Sequence, residues 1–365
     1  MSTLSQQDSD QFRFLTYTTL RHLKRIDEVV EEFSKRKIPK LDGEVADVLR
    51  VAVAELLYGR APAHAVVDSA VESIKSGKRG KASGFVNGVL RAVVRDRDRL
   101  LPPIDPRSEY PEWMVEKLDA QWESSEVEAF LSASLADAPR QVRARPGRGT
   151  DGLSVIEAIP GAYEWVAGGE LPEGFVVQDA ASVAVGNAVP LHPGDLVLDM
   201  AAAPGGKAAH MRDRGARVVA TDRNRRRVVD GRKRWPEIDW VVADGLDAPF
   251  KPGSFDHVLL DAPCSGLGTM RRRPEVRYRA DRRSIVELGR RQRSMLDIAL
   301  TLVRPGGTIT YSVCTVTSEE TVDVVADLPA EAPHGVPGKP WGNGLLLAPH
   351  LTGTDGMFIS IVRRP

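Results

Sequence analysis

The sequence predicts a mixed α/β chain: an all-helical domain, then a small α+β lead-in, then a mostly parallel sheet covered by helices on both faces. Three observations carry this. Apolar residues recur every three or four positions through the first hundred residues. Four prolines crowd residues 101–113. After residue 175, short Val, Leu and Ile runs alternate with helical stretches. The expected division is 1–104 for the helical domain, 105–175 for the linker and lead-in, and 176–365 for the sheet domain. With 42% apolar and 27% charged residues, the composition is that of an ordinary globular chain. A polar start, and no apolar run near the ~20 residues that cross a bilayer, predict a cytoplasmic protein with no membrane partner. Two cysteines and seven scattered histidines show no metal-ligand spacing, so no metal is expected. A monomer is expected.

In residues 14–33, Leu20, Leu23, Ile26, Val30 and Phe33 share one face and predict a single helix. Residues 44–59 repeat the pattern with Val45, Leu49, Ala52 and Leu56, and are apolar enough to form the central buried helix, ended by Gly59. A third helix starts at Pro62 and stops at Gly77, and a fourth places Phe85, Val89 and Val93 on one side. His64, alone between two alanines, is expected to be a packed structural histidine. The prolines of 101–113 mark a linker. The lead-in then offers a helix at 112–122 and strands at 140–145 and 153–158.

Five strand candidates follow: "DLVLDM", "RVVATD", "DWVVAD", "HVLLDAP" and "TITYSVC". In such sheets ligands bind outside the carboxyl ends of the strands, which is where Asp199, Asp222, Asp244, Asp261, Cys264 and Cys314 fall. The loop after the first strand is Ala201, Ala202, Ala203, Pro204, Gly205, Gly206 and Lys207. It lacks the third glycine of a dinucleotide fingerprint. Ala201 and Ala208 stand where a phosphate loop needs Gly and Ser or Thr. What remains is a tight turn that lets backbone approach a ligand, with Lys207 opening a helix and favouring a carboxylate. Asp222 lies 23 residues after Asp199, the usual place for an acid that binds ribose hydroxyls. Asp244 can accept from an adenine amine, and Arg227 and Asp261 complete the expected cofactor set. A nucleoside bearing an amino-acid carboxylate fits, and S-adenosylmethionine is such a molecule.

Formal charge is zero overall but uneven: residues 271–293 hold ten arginines against three acids, and residues 222–234 hold seven basic residues against two. Basic clusters flanking a thiol motif favour a polyanionic partner. A lone buried cysteine is ordinarily an apolar filler. Here both cysteines of the chain close apolar runs at the ligand edge, which points to chemistry.

The motifs "LDMAAAPGGK", "DAPCSGLGTMRRRPEVRY" and "YSVCTVTSEE", in that order, with "VVQDAAS" and "TDGMFISIV", resemble the RsmB/Sun (Fmu) branch of the NOL1/NOP2/Sun RNA cytosine-5 methyltransferases. Residues 49–93 resemble NusB-like RNA-binding domains. The resemblance implies a Rossmann-like methyltransferase sheet with S-adenosylmethionine as cofactor, behind a NusB-like domain. It also implies methylation of cytosine C5 in small-subunit (16S) ribosomal RNA. Cytosine C5 is a poor nucleophile until something adds at C6, and Cys314 matches the family's attacking thiolate. Asp261 matches the acid that manages proton and charge at N3, and Cys264 the residue that assists release. Arg271, Arg272, Arg273 and Arg277 are expected to contact RNA or to supply the field that lowers a thiol pKa.

Ala201 and Ala208 depart from the family's usual Cys and Thr or Ser, and "RQVRARP" follows its lead-in motif loosely. Two other readings are an RNA-binding assembly factor with a vestigial catalytic domain, and the same chemistry on tRNA. An amino methyltransferase would need an Asn/Asp-Pro-Pro-aromatic tetrad in place of "DAPC".

Overall fold

The computed structural model describes residues 5–100, 105–150, 152–166, 171 and 173–365. Contacts divide the chain into two compact units, 1–116 with Arg273–Glu275, and 117–272 with 276–365. The expected end of the helical domain, and the first prolines of the linker, fall at 101–104, outside the described residues.

The first unit contains α1 (Gln6–Arg21), α2 (Leu23–Ser34), α3 (Gly43–Tyr58), α4 (Ala63–Ser76), α5 (Ser83–Arg95) and the short α6 (Arg97–Leu100). Helix α3 is the core element: Val45, Leu49, Ala52, Val53 and Leu56 are buried, in one cluster with Ile26, Val30, Ile74 and Leu90. Gly59 and Gly77 end α3 and α4 as expected.

Two expectations fail in this unit. The single helix over 14–33 is two helices, broken at His22 (φ −110°). There the imidazole stacks on Tyr58 with ring centres 4.1 Å apart, and Nδ1 lies 3.3 Å from the buried Glu109 carboxylate. These tertiary contacts replace the continuous helix that local periodicity favours, and no Gly or Pro marks the break. His64 is exposed rather than packed, because the buried stripe of α4 begins two residues later with Val66, Val67, Ala70 and Ile74.

Helix α7 (Glu112–Asp119) spans the boundary in the chain, and α8 (Ser124–Leu135) follows. The lead-in then forms a four-stranded antiparallel sheet in the order β2-β3-β1-β4. Its strands are β1 (Gln141–Ala144), β2 (Ser154–Val155), β3 (Ala162–Glu164) and β4 (Phe175–Val177). Asp179 caps α9 (Ala180–Ala188) and leads into a nine-stranded sheet.

That sheet comprises β5 (Leu196–Asp199), β6 (Arg217–Asp222), β7 (Asp239–Val242), β8 (Phe255–Asp261), β9 (Val303–Val313), β10 (Ala330–Glu331), β11 (Lys339–Trp341), β12 (Gly344–Leu347) and β13 (Met357–Arg363). The order is β11-β12-β13-β9-β8-β5-β6-β7, with β10 on β13. From β7 through β9 all neighbours are parallel; β13 turns antiparallel against β9, and its hairpin partners continue so. Val197, Leu198, Val258, Leu259, Leu260 and Ile309 are buried, as strands covered on both faces require. The covering helices include α10 (Gly206–Asp213), α11 (Arg225–Arg234) and α13 (Arg282–Leu302), the last preceded by the single turn α12 (Val276–Arg279). From β5 the chain builds β6 and β7 on one side, and then β8 and β9 on the other. The switch point therefore lies between the carboxyl ends of β5 and β8, where a ligand crevice opens in such sheets. No described helix is long and apolar enough to cross a membrane.

Candidate active site

The crevice at the switch point collects the residues singled out from the sequence. β8 and β9 pair in register up to Asp261 opposite Ser312, so the two thiols emerge side by side just past the ladder. Their sulfurs lie 3.3 Å apart, both half-buried. Asp261 is held from two sides: Lys207 Nζ donates to Oδ2 at 2.7 Å and the Ser312 hydroxyl to Oδ1 at 2.9 Å.

Lys207 was expected to meet a ligand carboxylate, but its ammonium is engaged by Asp261. Burial pushes the Lys207 pKa down, yet Asp261, Cys314 and Asp199 outweigh it and hold the pKa above the ordinary value. The cation beside the thiols is thus Lys207, not the downstream arginines. The Cys264 thiol is pushed well up, by its contact with the Cys314 sulfur first and then by burial.

On the other half of the crevice, Gly205 adopts φ +98° at the start of α10. A side chain there would strike Trp235 at 2.6 Å and Trp240 at 2.9 Å. The turn is therefore shaped by a Gly that packs against two indoles, and it leads into the first turn of α10, whose N–H groups have no intrahelical partners. Asp222 ends β6 nearly buried; its Oδ1 accepts the Asn224 N–H at 2.8 Å and its Oδ2 lies 3.2 Å from Arg227 Nη1. Arg227 also donates to the Ala203 carbonyl, tying the β6 end to the "AAAPGGK" loop. Asp244, past β7, accepts the Leu246 N–H at 3.1 Å and stays partly exposed.

Asp199, at the end of β5, is 1% exposed, and its oxygens have no partner at full hydrogen-bond geometry among the described residues. Burial, with repulsion from Asp261, pushes its pKa up to about 7 against the pull of Lys207 and the nearby Ala201 N–H. An orphaned carboxylate beside a glycine turn and a helix N-terminus fits an amino-acid moiety, whose ammonium would satisfy Asp199 and whose carboxylate the α10 N–H groups.

The family model for 16S rRNA methyltransferase RsmB/F matches residues 187–363, and that for the NusB family matches residues 1–95. The chain is 33% identical to Rv1407 of Mycobacterium tuberculosis, provisionally named a methyltransferase, over 96% of this chain and 87% of that one. The chain belongs to the RsmB/F family. It is also similar to Ribosomal RNA small subunit methyltransferase B of Klebsiella pneumoniae, at 28% identity over 97% of this chain and 90% of that one. Among solved structures, that of PH0851 superposes with a TM-score of 0.83 at 22% identity, covering 99% of this chain and 91% of that one. NSun6 from Pyrococcus horikoshii, solved with the S-adenosylmethionine analogue SFG, gives 0.61 at 17% identity, covering 70% and 98%. The RsmB/F chain is an S-adenosylmethionine-dependent methyltransferase with a NusB-like helical region ahead of a Rossmann-like sheet.

The arginines expected at the RNA mostly serve the fold. Arg271 is buried, with Nε 3.0 Å from Asp355 Oδ1 and Nη2 donating to the Gly353 carbonyl at 2.6 Å. Arg272 reaches Asp355, Asp179, Gln141 and the Pro139 carbonyl, binding the lead-in sheet to the α9 cap and the start of β13. Arg277 is wholly buried. Only Arg273 presents a half-exposed side chain, 3.4 Å from Glu275. A row of arginines reads as a solvated face, whereas here buried acids far along the chain capture it. Glu320 was not singled out as a site residue, although it lies in the quoted "YSVCTVTSEE". Its signal is an acid set among Thr315, Thr317 and Ser318 immediately after a thiol.

Proposed function

We propose that this RsmB/F enzyme forms 5-methylcytosine in small-subunit ribosomal RNA through a covalent bond between Cys314 and cytosine C6. The observation that carries the reading is the pair of sulfurs 3.3 Å apart beside a Lys207–Asp261 ion pair at the switch point. S-adenosylmethionine supplies the methyl group when bound; Asp199, Asp222, Asp244 and the Gly205–Lys207 turn would hold it.

The Cys314 thiolate attacks C6, and the electron pair of the C5–C6 double bond moves toward C5, which becomes nucleophilic. Lys207, kept cationic by its anionic neighbours, offsets the thiolate charge before attack. Asp261, fixed by Lys207 and Ser312, faces the ring at N3 and shares a proton with it as charge develops. After methylation the C5 proton passes to a water, the C5–H electron pair restores the C5–C6 double bond, and the C6–sulfur bond breaks with its pair on Cys314; Cys264 beside it assists this release. The target must leave its stack to reach the crevice. Arg273 and the exposed arginines of α11 remain as candidates for phosphate contacts.

Labelled cofactor, purified protein and small-subunit RNA test this. Wild type should yield 5-methylcytidine on nucleoside analysis, Cys314→Ala none, and Cys264→Ala a protein–RNA adduct that survives denaturation. Methyl transfer indifferent to both substitutions would refute the mechanism.

A further inference from the structure

The β8–β9 ladder stops at Asp261 and Ser312, so it does not itself set the distance between sulfurs three and two residues further on. Beyond it, the two loops are linked directly by the Ala262 N–H to Ser312 carbonyl bond at 2.9 Å, the Gly268 N–H to Cys314 carbonyl bond at 3.0 Å and the bond between the Ser265 and Thr315 hydroxyls at 2.8 Å. A third element supplies the rest. Glu320 is wholly buried. Its Oε1 accepts the Ser265 N–H at 2.7 Å and Gln292 Nε2 at 3.2 Å. Its Oε2 accepts the hydroxyls of Ser265 at 2.6 Å, Thr317 at 2.9 Å and Thr315 at 3.2 Å. Ser265 directly follows Cys264, and Thr315 directly follows Cys314.

The grip extends into the sheet and the covering helix. Gln292 of α13 also donates to the Pro263 carbonyl at 2.9 Å, so both neighbours of Cys264 are held. Tyr311 of β9 donates to the Glu320 carbonyl at 2.7 Å, and its hydroxyl oxygen lies 3.1 Å from Gln292 Oε1. Every partner of the carboxylate is a neutral donor. A buried charge is tolerated only when its lone pairs are filled, so a carboxylate placed here makes the positions of its donors stringent. A neutral residue in its place would make fewer bonds and leave the loops looser.

We propose that Glu320 is a positioning residue for methyl transfer: its carboxylate clamps the residue after each thiol and thereby sets the separation of Cys264 from Cys314. The proposal rests on the two-thiol reading for its kinetic consequence, but not for its geometric one. Its negative charge also adds, behind Cys314 and burial, to the effects that push the Cys264 thiol up.

Phenylarsine oxide bridges two thiols only when they lie close together, forming two sulfur–arsenic bonds and releasing water. Cys264 and Cys314 are the only thiols in the chain. One equivalent added to wild type should remove both from titration, and the adduct should survive a wash with excess monothiol. In Glu320→Gln, which keeps the volume, and in Glu320→Ala, the thiols should titrate separately after the same wash. Calorimetric affinity for S-adenosylmethionine should be unchanged, showing an intact fold; if Glu320→Ala does not fold, Glu320→Gln carries the test. Turnover of Glu320→Gln should fall about a hundredfold with little change in KM for RNA, as expected of misplaced rather than missing groups. Wash-resistant bridging in Glu320→Gln equal to wild type overturns the clamp. Because the arsenical needs neither RNA nor methyl transfer, failure of the Cys314→Ala experiment would overturn the function and leave the clamp standing.

Discussion

Two halves of one sheet edge treat their buried acids in opposite ways. On the β8–β9 side, Asp261 has a lysine and a serine, and Glu320 is surrounded by donors on both oxygens. On the β5–β7 side Asp222 is held by Arg227 and the Asn224 N–H, but Asp199, nearest the switch point and 1% exposed, has no such shell. A filled carboxylate is a fastener, since the protein itself pays for its desolvation with hydrogen bonds. An unfilled one, its pKa raised by burial, is a site open to a donor-bearing ligand. Under the proposed function, the thiol half would be preorganised before RNA binds, whereas the cofactor half would be completed by its ligand.

The severest way to break this contrast is to empty a filled site. Lys207→Met leaves Asp261 with Ser312 and removes the cation that lies beside Cys314 among the described residues. Losing one partner of a largely buried pair should cost about 3 kcal/mol of stability. Activity should fall to background in the labelled-cofactor assay, at a temperature where circular dichroism shows the variant still folded. Retention of normal turnover would mean that Asp261 and Cys314 do not depend on Lys207.

How much of this was legible in the sequence depends on whether the signal was local. Helices α3, α4 and α5 announce themselves by apolar spacing, and strands β5 to β9 by short buried runs, four of which close in or lead straight to an acid, because each pattern repeats within one element. The cysteines could be placed at adjacent strand ends for the same reason. The break at His22 was not legible, since its causes, Tyr58 and Glu109, lie far along the chain. The arginines misled for a related reason: Asp355 is more than eighty residues from Arg271, and only the fold brings the two together. Lys207 lies in the crevice, but its partner there is Asp261, from a different strand, rather than a ligand carboxylate, and no local pattern pairs the two.

The next test acts on the empty site. Asp199 has a folded pKa of about 7 against an ordinary 3.8, owing first to burial and then to Asp261. Between roughly pH 4 and pH 7 the folded chain keeps a proton that the unfolded chain has lost, so this group makes stability decline as pH rises through that window and flatten above it. Asp199→Asn should remove that decline in a series of urea melts. The cofactor's ammonium should displace the proton, so calorimetry near pH 6 in buffers of differing ionisation enthalpy should show proton release in wild type and none in Asp199→Asn. Affinity should drop about tenfold or more with the loss of a charged hydrogen bond. Proton-neutral binding by wild type would show that Asp199 is not completed by the ligand.

The smallest effect should come from trimming a filled site without emptying it. Ser312→Ala removes one donor from Asp261 and keeps the lysine, so the carboxylate stays paired and loses orientation more than charge compensation. A stability loss of about 2 kcal/mol is expected. Turnover should fall by about tenfold, because Asp261 can then rotate about its contact with Lys207. Cofactor affinity should not change, since Ser312 belongs to the half that is complete before the cofactor binds. A Ser312→Ala enzyme that bound S-adenosylmethionine as poorly as Asp199→Asn would show the two halves to be one coupled site, and the division between fastener and open site would fail.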